Sequence, residues 1–131
     1  MTIKELSQLY YLNREIEQDK QRIRELEIKA TSTIVNISGL PHMKGISDKT
    51  AIAADIADLK AVVEAKNKMC IAEYNRLMRY ITTIDDSYIR QILTFRYVNG
   101  FSWVQVAMHI GGGNTEDSIR KAHKRFLDKN K

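Results

Sequence analysis

The polar residues that could do chemistry are concentrated between positions 114 and 125. One is an amide, one a hydroxyl residue, two are acids and four are cations: Asn114, Thr115, Glu116, Asp117, Arg120, Lys121, Lys124 and Arg125. Arg and Lys side chains can donate to O6 and N7 of guanine, while Glu and Asp can accept from N4 of cytosine. The stretch therefore suits contact with the major groove of double-stranded DNA.

These residues lie on a predicted amphipathic helix, over about residues 115–128. Ile119, Ala122 and Phe126 recur at spacings of three and four residues, which places them on one side and most of the charged residues on the other. Asn114 or Thr115 can cap this helix. We expect its apolar side to pack and its opposite side to offer cations.

Net charge is concentrated in the same region. The chain has a formal charge of +5, and from Asp86 onward eight Lys or Arg stand against four Asp or Glu. Excess positive charge of this kind attracts a polyanion. Arg125, Lys129 and Lys131 are placed for phosphates, which position a protein without reading base sequence.

Two short helices would have to position the basic helix. Asp85 or Asp86 can cap the first, over residues 87–98, and Asn99 with Gly100 would end it. Ser102 and Gln105 form a capping box for the second, over residues 103–110. Its apolar side consists of Trp103, Val106, Ala107 and Ile110. With three glycines at 111–113 before the basic helix, this order is the sequence form of a helix-turn-helix.

Two other interpretations of this region compete with DNA binding. A basic amphipathic helix near a chain end is also typical of a solvated surface without a partner. The two caps, the small Ala107 at the helix crossing and the glycine turn together favour binding. The glycines could instead form a phosphate loop, but no strand precedes them and no Gly-Lys-Ser/Thr follows.

No catalytic or metal-binding pattern stands out. His42 lies in a loop without a second donor, His109 is a helix-end residue, and His123 is either partly buried or phosphate-facing. The single cysteine, Cys70, excludes an internal disulfide, suits a reducing compartment and is best explained as a core residue. We predict no enzymatic activity, no cofactor and no metal.

The first part of the chain predicts two long helices. Thr2 and Glu5 form a capping box, after which a heptad pattern follows: Leu9, Leu12, Ile16, Asp19, Ile23, Leu26 and Ala30. After a corner at residues 31–47, Ser47 or Asp48 can cap a second helix that ends near Ile84. Its stripe contains Ile52, Ile56, Leu59, Val63, Cys70, Leu77 and Ile84, with Lys66 and Glu73 intruding.

The predicted fold is all-α, with two regions. Residues 1–84 would form a coiled-coil-like helical hairpin, and residues 85–131 a three-helix helix-turn-helix module. Each long helix would extend beyond what a small bundle can cover. We therefore expect oligomerisation, with a homodimer favoured. No apolar stretch could span a bilayer and no signal peptide begins the chain, so we expect a cytoplasmic protein with no membrane partner.

Part of the sequence resembles a known DNA-binding module. The run RQILTFRYVNGFSWVQVAMHIG, followed by DSIRKAHKRFL, is similar to region 4 of sigma-70-type factors. The resemblance covers about a third of the chain and implies a support helix followed by a recognition helix. The turn is longer than in those factors and carries Glu116 and Asp117, so their promoter preference is not carried over.

The layout of the whole chain resembles small phage-encoded transcriptional regulators of the ArpU-like and RinA-like groups. The motifs are the corner SGLPHMKGISDK between the long helices and the turn GNTEDS. The resemblance implies a DNA-binding regulator of late phage or prophage genes, acting near the host nucleoid, with RNA polymerase as a possible further partner.

Two other functions stay open. A small-terminase-like subunit for phage DNA packaging also joins a helix-turn-helix to an oligomerising region, and would form a ring of many chains rather than a dimer. A helical adaptor could use the basic helix to bind RNA polymerase, and would show no salt-sensitive affinity for DNA.

Overall fold

The structure is a computed structural model that describes residues 1–36 and 43–130, and this part of the chain is helical with no strand. The helices are α1 (Ile3–Leu6), α2 (Gln8–Asn36), α3 (Met43–Thr82), α4 (Ser87–Leu93) with a π-helical turn (Thr94–Val98), α5 (Trp103–Ile110) and α6 (Glu116–Lys129). The predicted all-α fold is confirmed, with a long helix pair followed by a bundle of short helices.

The chain divides into two compact units. One is Asn13–Met69, the central part of the long helices. The other joins Met1–Leu12 to Cys70–Lys131 and is called the C-terminal unit below. The short helices therefore pack together with the first residues of α2 and the last residues of α3, which lie at one end of the long helix pair. The sequence predicted a domain boundary between residues 84 and 85, and this boundary stays a prediction.

Helix α1 begins with the predicted capping box. The Glu5 backbone N–H donates to the Thr2 hydroxyl at 3.2 Å, and the Thr2 backbone N–H donates to the Glu5 carboxylate at 2.7 Å. The bonds from Thr2 hold the pKa of the Glu5 carboxyl below its usual value. Leu6 directly behind this cap is fully buried, so the capped turn anchors the start of the chain in the C-terminal unit.

The predicted heptad pattern of α2 is confirmed by burial. All seven positions are buried or half-buried: Leu9, Leu12, Ile16, Asp19, Ile23, Leu26 and Ala30. In the unit Asn13–Met69, Lys60 lies 3.9 Å from Glu27 and Lys66 lies 3.3 Å from Glu15. Because later residues of α3 face earlier residues of α2, the two helices run antiparallel within one chain.

Asp19 interrupts the apolar seam and is only 4% exposed. Its carboxylate accepts from Lys66 Nζ at 2.6 Å and from Arg22 at 3.4 Å. The hydrogen bond to Asp19 is the main reason that the pKa of the Lys66 ammonium is raised. A buried carboxylate is stable only with such partners, so this pair forms in one alignment of the two helices and disfavours others.

The predicted corner is longer than the one in the structure. Helix α2 continues to Asn36 and α3 already begins at Met43, so Ser47 and Asp48 are not N-caps. Residues 37–42, including His42, lie outside the described residues. The β-branched residues after Thr31 did not end α2, because each costs only a few tenths of a kcal/mol while extending a formed helix adds a hydrogen bond per residue.

Every helix contributes buried residues to the core of the C-terminal unit, although the central parts of α2 and α3 contribute none. Its buried residues are Leu6, Leu9, Leu77, Ile81, Ile89, Ile92, Leu93, Tyr97, Val106, Ala107, Ile119 and Leu127. Asp86 caps α4 as predicted, by accepting from the Tyr88 backbone N–H at 2.9 Å. This core holds α5 and α6 in place.

Changing Asp19 to Ala should destabilise the protein by about 2 kcal/mol, because it leaves the Lys66 ammonium in the seam without its main partner. Replacing Asp19 and Lys66 together by Leu should restore the free energy of unfolding to within about 1 kcal/mol. Urea denaturation measures both. Asp58→Ala, which removes an exposed carboxylate from α3, is the control, and an equal loss in that variant would contradict a special role for the pair.

Candidate nucleic-acid interface

Helices α5 and α6 pack against each other and are joined by residues 111–115. The predicted cap of α5 is present: Gln105 N donates to the Ser102 hydroxyl at 3.3 Å, and Ser102 N donates to the Gln105 side chain at 2.9 Å. Thr115 caps α6 through an equivalent exchange with Ser118. Both helix starts are therefore set by local hydrogen bonds.

The turn between these helices requires glycine. The three residues at 111–113 have φ of +68°, +65° and +79°, a region that other L-residues rarely adopt. Asn114 closes the turn, because its amide donates to the Gly111 carbonyl at 2.7 Å and its oxygen accepts from the Tyr88 hydroxyl at 3.1 Å. The turn is thereby connected to α4.

The predicted helix over residues 87–98 has the expected length, but it changes from α-helical to π-helical part-way along. Its last part, Thr94–Val98, is π-helical, and the Asn99 N–H donates to the Thr94 carbonyl at 3.0 Å. Gly100 follows with φ of +72°, and a Cβ on it would lie 3.4 Å from the Tyr10 ring. The Phe101 N–H donates to the Phe95 carbonyl at 3.0 Å, and Ser102 then starts α5.

Helix α6 buries more of its surface than the pattern indicated. Ile119 is fully buried and Ala122 and Phe126 are half-buried, as predicted. His123 and Leu127 are also buried, at 6% and 9% exposure. The phosphate-facing alternative for His123 is therefore wrong, since the ring lies inside the unit.

His123 is held in a cluster of rings. Its Nε2 lies 2.5 Å from the Tyr97 hydroxyl, and Trp103 contacts its ring edge-on at 4.8 Å. Arg96 stacks over Trp103 at 4.5 Å and donates to the Phe101 carbonyl at 3.0 Å. Burial, and to a smaller extent the charge of Arg96, lowers the pKa of His123 to about 4. Burial raises the pKa of Tyr97 to about 12, so both rings stay neutral near pH 7.

The exposed side of α6 carries the predicted charged residues. Arg120 pairs with Glu116 one turn earlier, and Lys121 pairs with Asp117 at 2.9 Å. The side chains of Arg120 and Lys121 are 56% and 63% exposed, so both ion pairs stand in solvent. These four residues form a charged surface. A ligand could replace the partner of each charged side chain in these ion pairs.

The eight predicted residues thus have two kinds of environment. Asn114 and Thr115 are used by the turn and the cap, and their hydrogen bonds are internal. Six others lie together on α6: Glu116, Asp117, Arg120, Lys121, Lys124 and Arg125. Lys124 and Arg125 are exposed, whereas Glu116 is half-buried.

Lys4 is a residue near this surface that the sequence pattern did not single out. It lines a cavity of about 740 Å³ together with Arg120 and Lys124, although it lies more than a hundred positions earlier. The packing of α1 against the helices that follow residue 70 places these three cations around one cavity. The sequence indicated that a capped, amphipathic turn begins at Thr2. It did not indicate which helix this turn would pack against.

Comparisons with protein-family models, with curated proteins and with solved structures found no match. The resemblances to sigma-70 region 4 and to the phage regulators therefore stay predictions. Among the described residues, no helix is both long and apolar enough to cross a membrane, and no group of His, Cys, Asp or Glu could hold a metal.

The buried His123 should make stability depend on pH. Its ordinary pKa is 6.5 and the folded value is about 4. Between these two pH values, His123 therefore binds a proton in the unfolded chain but not in the folded protein. The stabilisation is complete above about pH 6.5 and is lost as the pH falls towards 4, by roughly 3 kcal/mol at most.

Urea denaturation between pH 7.5 and 4 measures this dependence. His123→Gln, which can keep a hydrogen bond to Tyr97 but does not titrate, should show a smaller loss than the unmodified protein. His109→Gln removes an exposed histidine of the same unit and should lose stability as the unmodified protein does. An unchanged pH profile in His123→Gln would contradict the assignment.

Proposed function

We propose that this protein is a sequence-specific, DNA-binding transcription regulator, in which α6 enters the major groove. The observation that carries the proposal is the exposed side of α6, where cations and acids occupy successive turns of a helix whose other side is buried. A rigid helix with long polar side chains on its free side matches the groove in width and chemistry.

The first two turns of α6 are suited to reading bases. Arg120 and Lys121 can leave their exposed partners at little cost, because such ion pairs contribute only about 0.2–1 kcal/mol. Once released, they can donate to guanine, while Glu116 and Asp117 can accept from cytosine. The same four side chains would then supply contacts of both signs within two turns of helix.

Other cations are suited to the DNA backbone. Lys124, Arg125 and Lys129 follow on α6, and Lys4 lines the same cavity as Arg120 and Lys124. Phosphate contacts release counterions and make affinity fall with salt, and they align the protein on the duplex. In this proposal the two ends of the chain contribute to one basic surface.

We further propose that the regulator acts as a homodimer. Dimers of helix-turn-helix proteins place recognition helices in half-sites about one helical turn apart, ~34–36 Å, or at multiples of it. The assignment to phage or prophage genes, and a further contact with RNA polymerase, rest on the resemblance of the corner and turn motifs.

Replacing Arg120 and Lys121 together by Ala should abolish sequence preference, because each good bidentate contact to a base contributes about 1–3 kcal/mol of discrimination. Selection of bound fragments from the genome that encodes the protein identifies the DNA site. Gel shifts with that site and with random DNA then measure the sequence preference. Arg14→Ala with Lys20→Ala removes the same charge from α2 and should leave the preference intact. Specific binding that survives the α6 change would refute the assigned surface.

Replacing Glu116 by Gln and Asp117 by Asn should strengthen binding to random DNA. Both cations lose their internal partners, so affinity at low salt should rise by about fivefold, while preference for the selected site falls. Fluorescence anisotropy over a salt series measures both.

Asp55→Asn with Asp58→Asn makes the same charge change on α3 and serves as the control. If it raises affinity for random DNA equally, net charge alone accounts for binding and α6 has no special part in it.

A further inference from the structure

The residues that line the cavity beside α6 suit a small molecule with an apolar body and one negative group. Its wall contains Met1, Ile3, Trp103 and Leu127, and its rim carries Lys4, Arg120 and Lys124 against one carboxylate, Asp128. Its volume of about 740 Å³ falls within the range of about 300–1,000 Å³ that is usual for small-molecule sites. All of these residues belong to the C-terminal unit.

The inner wall of the cavity is built from fixed groups. Trp103 is held between Arg96 at 4.5 Å and His123 at 4.8 Å, and His123 is in turn bonded to Tyr97. Leu127 is part of the core and is 9% exposed. The apolar surface is therefore largely formed before any ligand arrives, which reduces the entropy lost on binding.

The rim of the cavity is its exposed and charged part. Lys4 and Lys124 are exposed, and the Arg120 side chain is 56% exposed. Three cations around an apolar cavity attract a molecule that has an apolar body and one negative group. A neutral apolar compound would leave the cations unused, and a cation would be repelled.

We propose that this cavity binds a free carboxylic acid with an apolar chain of medium length. The chain lies against Trp103 and Leu127, and the carboxylate meets Lys124 and Lys4 at the rim. Arg120 and Lys124 also belong to the DNA surface proposed above. Bound acid therefore competes with DNA for these cations, and this second part of the proposal rests on the proposed function.

Trp103 makes the binding directly measurable, because it is the single tryptophan of the chain. Decanoate should change its emission saturably. Octanoate should bind up to about 15-fold more weakly, as expected for two fewer CH₂ groups in an apolar site. Decyltrimethylammonium, with the same chain and the opposite charge, should give no saturable change. An equal response to this cation, or no response to decanoate, would overturn the proposal.

Variants at the rim and wall test the two halves of the ligand separately. Lys124→Gln should weaken decanoate binding by about two- to fivefold, the scale of an exposed ion pair. Lys121→Gln, on the same helix but outside the cavity, should not change it. Ile3→Ser alters an exposed wall residue and should reduce the difference between decanoate and octanoate. Equal effects of the two lysine variants would overturn the placement of the carboxylate.

The competition with DNA is tested in a separate arm. Decanoate at ten times its own Kd should weaken DNA binding about 11-fold if the two exclude each other. An unchanged DNA affinity would overturn competition. If the protein does not bind DNA at all, the proposed function fails, while the emission titration still decides whether the cavity takes an apolar acid. Emission that changes with protein concentration instead of with decanoate would show that a second copy covers the cavity, and this would overturn the proposal.

Discussion

The C-terminal unit depends on the burial of one side of α6. Ile119, His123 and Leu127 are inserted among the helices of the core, and this fixes the rotation of α6 about its own axis. The opposite side is then exposed along its whole length. Because a helix has 3.6 residues per turn, anchoring three positions decides where every charged residue points. The proposed DNA surface is in this sense a consequence of core packing.

The long helix pair obeys a different constraint. Most of its seam is apolar, and an apolar seam tolerates sliding by one heptad. Asp19 removes that freedom, because a buried carboxylate must meet Lys66 and the two helices can be aligned in one way to achieve this. The pair contributes specificity of alignment more than net stability, since desolvation of both charges offsets much of their attraction.

Electrostatics connect the two proposals for the C-terminal unit. Arg120 and Lys121 already have acidic partners, so the surface is less positive than the count of cations suggests. The remaining attraction comes from cations of α6 and from Lys4, at the other end of the chain. A surface of modest positive potential can discriminate among anions by shape and apolar contact, and this is what a cavity next to a basic rim provides.

The sequence by itself determined the all-helical fold, the caps outside the corner and the division of α6 into two sides, since these depend on residues close together in the chain. It placed the capping boxes at Thr2 and Ser102 and the glycine turn correctly. It did not place the shorter corner, where helix extension outweighed weak local propensities. Only the tertiary structure decided that His123 is buried against Tyr97, and that Lys4 lines the same cavity as Arg120 and Lys124. Both arrangements involve residues distant in the chain, and no local spacing encodes which distant helix will pack against a given surface.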